Sequence, residues 1–280
     1  MVEFKKEVKH GLFRKVAMGT WKNAKDPSVY GELEIDFTET LQHLEKVKKE
    51  FPNRPKITPT HLVAKALAHC LSHRPEINGM IRGSKIWLRK NVSLFFQVNI
   101  HNQEKNSSEL SGAVLHKAES MDLEQIASQL ADQANQIRLG KDKHFKKNLN
   151  LIRWLPWWSV RYFLDITSFL IYGLNLNLEW LGIPKDPFGS AMITSVGSLG
   201  IDKAWAPLCP YTRVPLILTV GKIAPKPVVI GDKIVIRQMA SIGVTFDHRF
   251  MDGHHAAVMA NDFKKCFQES EKYLFQTQGK

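Results

Sequence analysis

Cysteine is scarce in this sequence: Cys70, Cys209 and Cys266 are the only three in 280 residues. They lie too far apart for a metal or redox spacing, and an odd number cannot make a complete disulfide framework. The N-terminus carries basic residues but no apolar core long enough for a secretory signal, so a reduced, cytoplasmic setting is expected. Long apolar runs are missing too. The longest uncharged apolar piece of the most aromatic segment, Ile166 to Leu174, falls far short of the roughly 20 residues a spanning helix needs. There is no Lys/Arg run beyond two or three residues, no zinc-finger spacing and no ribonucleoprotein-type aromatic motif, which argues against nucleic acid as a partner. No repeat and no βαβ regularity appear. Acidic residues are under-represented: 27 Asp and Glu face 39 Lys and Arg, leaving a formal charge of +12. Such an excess favours anionic partners, either phosphorylated cofactors or an acidic membrane surface.

What is present reads as an ordinary globular chain of the α+β class, with 44% hydrophobic and 24% charged residues. "VYGELEIDF" (29–37) alternates as a strand, and Thr38 stands where it could cap a helix running through "ETLQHLEKVKKEF". "ITPTHLVAKALAHCLSHRPEIN" predicts a second helix, starting near Thr58 or Thr60 and stopping before Pro75. Strands are expected over 92–100 and 110–118. An amphipathic helix is expected over "MDLEQIASQLADQANQIRLG", closed by Gly140. From Phe188 onward strands dominate, with a hairpin turning at Gly231-Asp232, and "HAAVMANDFKKCFQ" closes the chain as a helix.

Residues 141–185 stand apart. They hold four of the seven tryptophans and begin with the basic patch "KDKHFKK". Two readings are open for this segment. It either packs on the protein and lines a pocket, or lies as an amphipathic flap in peripheral contact with a membrane surface.

"VTFDHRFMDGHH" (244–255) ends a buried-looking strand with three histidines, two aspartates and one arginine. His248 and Asp252 are four apart across a tight corner with Arg249 between them. Such a corner can hold an imidazole in one tautomer while an Asp–Arg pair braces the backbone. The plainer alternative is a helix N-cap at Asp252 with a charged lip. His254 and His255 are expected to flank the last helix, and no convergent metal-ligand cluster is legible. His61, His69 and His73 fall at helical spacings and read as partly exposed packing residues.

"DHRFMDG" resembles the Asp-His-Arg-x-x-Asp-Gly signature of the acyltransferase catalytic domain of 2-oxo acid dehydrogenase complexes, whose His-x-x-x-Asp-Gly core is shared with chloramphenicol acetyltransferase. "ITPTHLVAKALAHCLSHRPEINGMI", "KNVSLFFQVNI", "FGSAMITSVGSLG" and "RVPLILTVGKI" resemble that family's segments in the same order, leaving out 141–185. The resemblance implies a two-layer fold with a large mixed β-sheet flanked by helices, as one catalytic domain over residues 1–280. It also implies acyl transfer between a thioester, acyl-CoA or acyl-lipoyl, and a thiol or other nucleophile, with no metal. His248 would be the general base, and Asp252 a support of the site's shape, paired with Arg249 as the local candidate or with an arginine from elsewhere in the chain, with Gly253 beside it. The family's oxyanion serine falls on Gly197 here, so Ser195 and Ser198 are the nearest hydroxyls that could serve, with a backbone N–H near Gly197 as the third candidate. A homotrimer with active sites between subunits is implied. With no lipoyl or subunit-binding domain legible, the lipoyl group would come from a separate protein. A catalytically inactive scaffold or membrane-surface descendant of the fold is the competing expectation.

Overall fold

The computed structural model describes residues 3–8, 26–52, 54–102, 107–139, 156–181 and 183–275. Its strands are β1 (Phe4–Val8), β2 (Ser28–Asp36), β3 (Gly79–Arg82), β4 (Lys85–Arg89), β5 (Leu94–Asn102), β6 (Ser107–Leu115), β7 (Ala191–Ser195), β8 (Leu216–Val220), β9 (Ala224–Ile230) and β10 (Lys233–Asp247). Its helices are α1 (Thr38–Glu50), α2 (Pro59–His73), α3 (Leu123–Arg138), α4 (Trp157–Ser168), α5 (Gly253–Gln268) and the short α6 (Ser270–Tyr273).

The large sheet runs β2-β10-β8-β7-β5-β6, with β9 also paired to β10. The pairs β5–β7 and β7–β8 are parallel and the others antiparallel, so the sheet is mixed. A separate small sheet joins β1, β4 and β3. Helices α2, α3 and α5 supply Leu62, Leu67, Leu71, Ile126, Phe263 and Phe267 to a core closed by Leu94, Phe96, Leu218 and Ile242 from the sheet. This is the α+β fold of a mixed sheet flanked by helices that the resemblance implies.

The long strand β10 organises the molecule. Its second half is sandwiched between β2 and β8, while its first half pairs only with β9, which continues β8 after Gly221. The hairpin turns at Gly231, whose φ of +59° suits a residue without a Cβ. Residues 224–238 thus form a two-stranded arm running past the end of β2, with Val229, Ile230, Ile234 and Ile236 exposed.

The local expectations meet the structure unevenly. Thr58 does cap α2, in a capping box with His61: the Thr58 N–H donates to His61 Nδ1 at 3.2 Å. Thr38 does not cap α1. Phe37 occupies that position, and the Thr38 hydroxyl instead accepts from the Gln238 N–H at 2.8 Å, tying the helix to β10. The strand expected over 110–118 lies at Ser107–Leu115, paired along its whole length with β5. The β3–β4 hairpin has no counterpart among the expected elements. Its four- and five-residue strands around Gly83 (φ +62°) are too short to show a period. Gly140, expected to close α3, lies outside the described residues.

Candidate active site

The corner after β10 is built from backbone ties before any side chain acts. The Asp247 N–H donates to Pro215 O and the His248 N–H to Pro27 O, both at 2.9 Å, so the strand end is pinned to both neighbours. The N–H groups of Phe250 and Met251 then fold back onto Asp247 O, each at 2.9 Å. The Phe250 and Met251 side chains are fully buried and anchor the turn. Between these fixed points His248 and Arg249 remain partly exposed.

His248 Nδ1 lies 3.0 Å from Met251 O. A carbonyl can only accept, so in the neutral imidazole Nδ1 carries the proton and Nε2 the lone pair. The geometry selects one tautomer, as the spacing suggests.

Arg249 grips the carboxylate two residues before it. Arg249 Nε lies 3.0 Å from Asp247 Oδ1 and its terminal nitrogen 2.7 Å from Oδ2, while its backbone N–H donates to Oδ1 at 2.9 Å. Among the described residues, the carboxylate that Arg249 grips is therefore Asp247, which is buried. Asp252 caps α5: its Oδ1 accepts from the His255 N–H at 3.0 Å and meets His255 Nδ1 at 2.5 Å. The reason is direction. Asp247 belongs to the strand and points back along the turn at Arg249, whereas Asp252 sits where α5 begins, facing unpaired helix N–H groups. Gly253 is the exposed first residue of that helix, and His254 and His255 follow in its first turn.

Ser195 and Ser198 are not brought to His248 within one chain. Ser195 pairs with Val220, and Val220 pairs with Ile242 on β10. His248 lies six residues beyond Ile242, just past the end of β10, about 20 Å at strand rise. The Ser198 hydroxyl, exposed, donates to Ser195 O at 3.0 Å. Gly197 between them is pressed on the root of the arm: a Cβ there would stand 2.5 Å from Gly221 O and 2.7 Å from Lys222 N. Gly197, where the resemblance would place a serine, therefore has no room for one unless the backbone shifts.

Arg213, which drew no attention in the sequence, stands near this end of the sheet. It precedes β8, its Nε donates to Ser168 Oγ of α4 at 3.1 Å, and burial pulls its guanidinium below the ordinary value, with the Arg249 charge acting the same way. The aromatic segment is thus fastened close to the His248 corner. Its other anchors are Ile171, Tyr172 and Leu178, which pack on Met80, and the buried ion pair of Arg89 with Asp186. Burial also pushes the Tyr172 phenol up. Among the described residues no group of three or more His, Cys, Asp or Glu could hold a metal ion.

The profile of the 2-oxoacid dehydrogenases acyltransferase (catalytic domain) family matches residues 4–145 and 188–275. The chain belongs to that family. The match passes over 146–187, so the aromatic segment is the part of this acyltransferase-family chain that the family pattern does not describe. The lipoamide acyltransferase component of the branched-chain alpha-keto acid dehydrogenase complex of Bacillus subtilis is 23% identical over 253 residues, covering 89% of this chain and 49% of that protein. The chain spans about half or less of the length of the curated relatives it matches. Among solved structures, a probable dihydrolipoamide acetyltransferase from Listeria monocytogenes superposes with a TM-score of 0.63 at 21% identity, covering 95% of this chain and 97% of that one. The dihydrolipoamide acetyltransferase of Azotobacter vinelandii superposes with a TM-score of 0.65 at 20% identity, covering 96% and 94%. These likenesses show a shared fold.

Proposed function

We propose that this family member transfers an acyl group between a thioester and a thiol, with His248 as general base. The observation that carries the reading is the Nδ1–Met251 contact, which presents Nε2 as the proton acceptor in a partly exposed, backbone-braced corner. A free thiol is only a few per cent thiolate at neutral pH and needs such a base. In the reaction Nε2 takes the proton of the acceptor thiol as its sulfur attacks the thioester carbonyl. The tetrahedral intermediate then expels the donor sulfur, which recovers the proton from the imidazolium. The catalytic mechanism of the Azotobacter enzyme has been examined for a serine, a histidine and an asparagine, the last two four positions apart. His248 and Asp252 repeat that spacing. Coenzyme A, with its phosphates, suits the positive balance of the chain as one thiol, and a lipoyl group on a separate protein suits the other.

A second copy of the chain completes this reading. The intermediate's oxyanion needs a donor, usually worth about 10²–10³ in rate, yet Ser195 and Ser198 sit at the far end of the sheet from His248. Copies arranged head to tail around a threefold axis would set the Ser195 end of one against the His248 corner of the next. The exposed apolar arm, rooted beside Gly197, would be covered in the same step.

The test is a thiol-release assay with the purified protein on acyl-CoAs of graded chain length, with dihydrolipoamide as acceptor. His248→Ala should lower kcat by about 10² or more while fold and native mass persist. Transfer by the variant at the parent rate would defeat the mechanism. Absence of transfer by the parent across the whole panel would favour the inactive scaffold.

A further inference from the structure

Beside the His248 corner stands a cation whose charge no described carboxylate balances. Arg213 leaves the short turn Pro210–Thr212 and leads into β8, with its backbone at φ +55°, a left-handed conformation that residues with a Cβ seldom adopt. Such a conformation persists where its surroundings fix it. Here α4 packs on the turn, the Arg213 N–H donates to Pro210 O at 3.4 Å, and the next residue, Val214, is buried. Pro215 O in turn accepts from the Asp247 N–H. Two residues of chain, at most about 7 Å, therefore separate Arg213 from the strand end that carries His248.

The aromatic segment fixes the side chain as well. Ser168, the buried last residue of α4, accepts from Arg213 Nε at 3.1 Å. That bond sets the plane of the guanidinium and leaves its terminal nitrogens, each a double donor, unengaged by any described carboxylate. The acidic groups of this region are committed to other arginines: Asp247 to Arg249, Asp186 to Arg89, and the exposed Asp165 to Arg161 at 3.9 Å. Tyr172 follows one helical turn beyond Ser168 and is fully buried. Its hydroxyl finds no hydrogen-bond acceptor and burial keeps the phenol protonated, so it brings polarity but no negative charge. Arg213 is itself half-buried, and both its burial and the Arg249 charge work against its own charge. A cation held in this way is costly unless an anion joins it.

We infer that Arg213 binds an anionic oxygen group of the substrate, with Ser168 positioning it, and so selects which thioesters reach His248. The inference rests on the acyl-transfer reading and adds the substrate's charge to it. Two oxygens of a carboxylate match the forked N–H groups of a guanidinium, and one unbalanced positive charge suits a monoanion. The carboxylate at the far end of an acyl chain meets both conditions. The phosphates of coenzyme A offer the same chemistry from the carrier side. Ser168 lies within the segment that the family pattern passes over, so the arrangement is not part of that pattern.

Four substrates separate the two sources: acyl-CoAs of equal length ending in a methyl or in a carboxylate, and the same two acyl groups on pantetheine, which has no phosphate. In the thiol-release assay Arg213→Gln should lower the kcat/KM ratio of carboxylate-ended to methyl-ended thioesters about tenfold, chiefly through KM. A fall of about tenfold instead in the ratio of CoA to pantetheine thioesters would uphold the site and put the anion on the carrier. Ser168→Ala should move the same ratio in the same direction by about threefold, which a merely structural change would not do. Arg213→Lys, which keeps the charge and loses the fork, should recover part of the loss, and it takes the place of Arg213→Gln if that variant fails to fold. Both ratios unchanged would overturn the inference. Should the parent transfer no acyl group, calorimetric titration with coenzyme A and with glutarate reads the site without turnover. Binding that weakens about tenfold in Arg213→Gln would then uphold the site while the transfer reading fails. No binding of either by the parent would overturn it.

Discussion

Replacing Gly197 by serine, the residue that the family resemblance would place here, should damage the protein rather than restore a lost function. The new Cβ would sit 2.5 Å from Gly221 O, 2.6 Å from Gly221 C and 2.7 Å from Lys222 N. All three are backbone atoms, so no side-chain rotation relieves the overlap. Gly221 cannot retreat either. Its N–H is bonded to Ser241 O at 2.9 Å, and on its other side the chain passes so close that a Cβ on Gly221 would stand 2.1 Å from Asp202 O. Relief requires parting the Gly197 turn from the root of the arm. Overpacking of this kind costs about 1–3 kcal/mol, and the backbone contacts put Gly197→Ser in the upper half of that range. At roughly 2–4 °C per kcal/mol for a chain of this size, the midpoint of thermal unfolding should fall by about 4–12 °C. Ser198→Ala, on an exposed side chain one residue away, should shift it little. Calorimetry on the three proteins, with thiol release measured alongside, makes the comparison. A Gly197→Ser protein that melts with the parent and transfers acyl groups faster would refute the argument, because the site would then have had room for the serine.

Two further outcomes follow from buried charge. Asp186→Asn should cost about 3–5 kcal/mol by stranding the Arg89 guanidinium in the interior, read as a lower urea midpoint at pH 7, and an unchanged midpoint would contradict the pairing. Burial pushes the His61 imidazole down from 6.5 to about 4, so the native state keeps it neutral while the unfolded chain gains a proton. Stability from this group is therefore complete above pH 6.5 and is lost as pH falls toward 4, about 2 kcal/mol between pH 7 and pH 5. His61→Gln, which keeps an acceptor for the Thr58 N–H, should remove that part of the pH dependence. Parallel pH profiles for parent and variant would show the depressed value to be wrong.

Much of this protein was legible in its residues because the signals were local. The Thr58–His61 cap, the Gly231 turn, the alternation of β2 and the His248–Asp252 spacing all depend on neighbours a few positions apart. The sequence alone therefore placed the α+β class, the family resemblance and the corner on which the chemistry is proposed. Tertiary structure decided everything set by register and direction. Which aspartate grips Arg249 depended on where the strand ends and the helix begins. The strand pairing Ser195–Val220–Ile242 placed the two serines some six residues' rise from His248, a distance no spacing in sequence could reveal. The aromatic segment was ambiguous for the same reason, since its apolar residues occur all around the helix and periodicity cannot say which of them a core will claim. Only its docking through Tyr172, Ser168 and the neighbouring Arg89–Asp186 pair decided that Tyr162, Ile166 and Phe169 face outward.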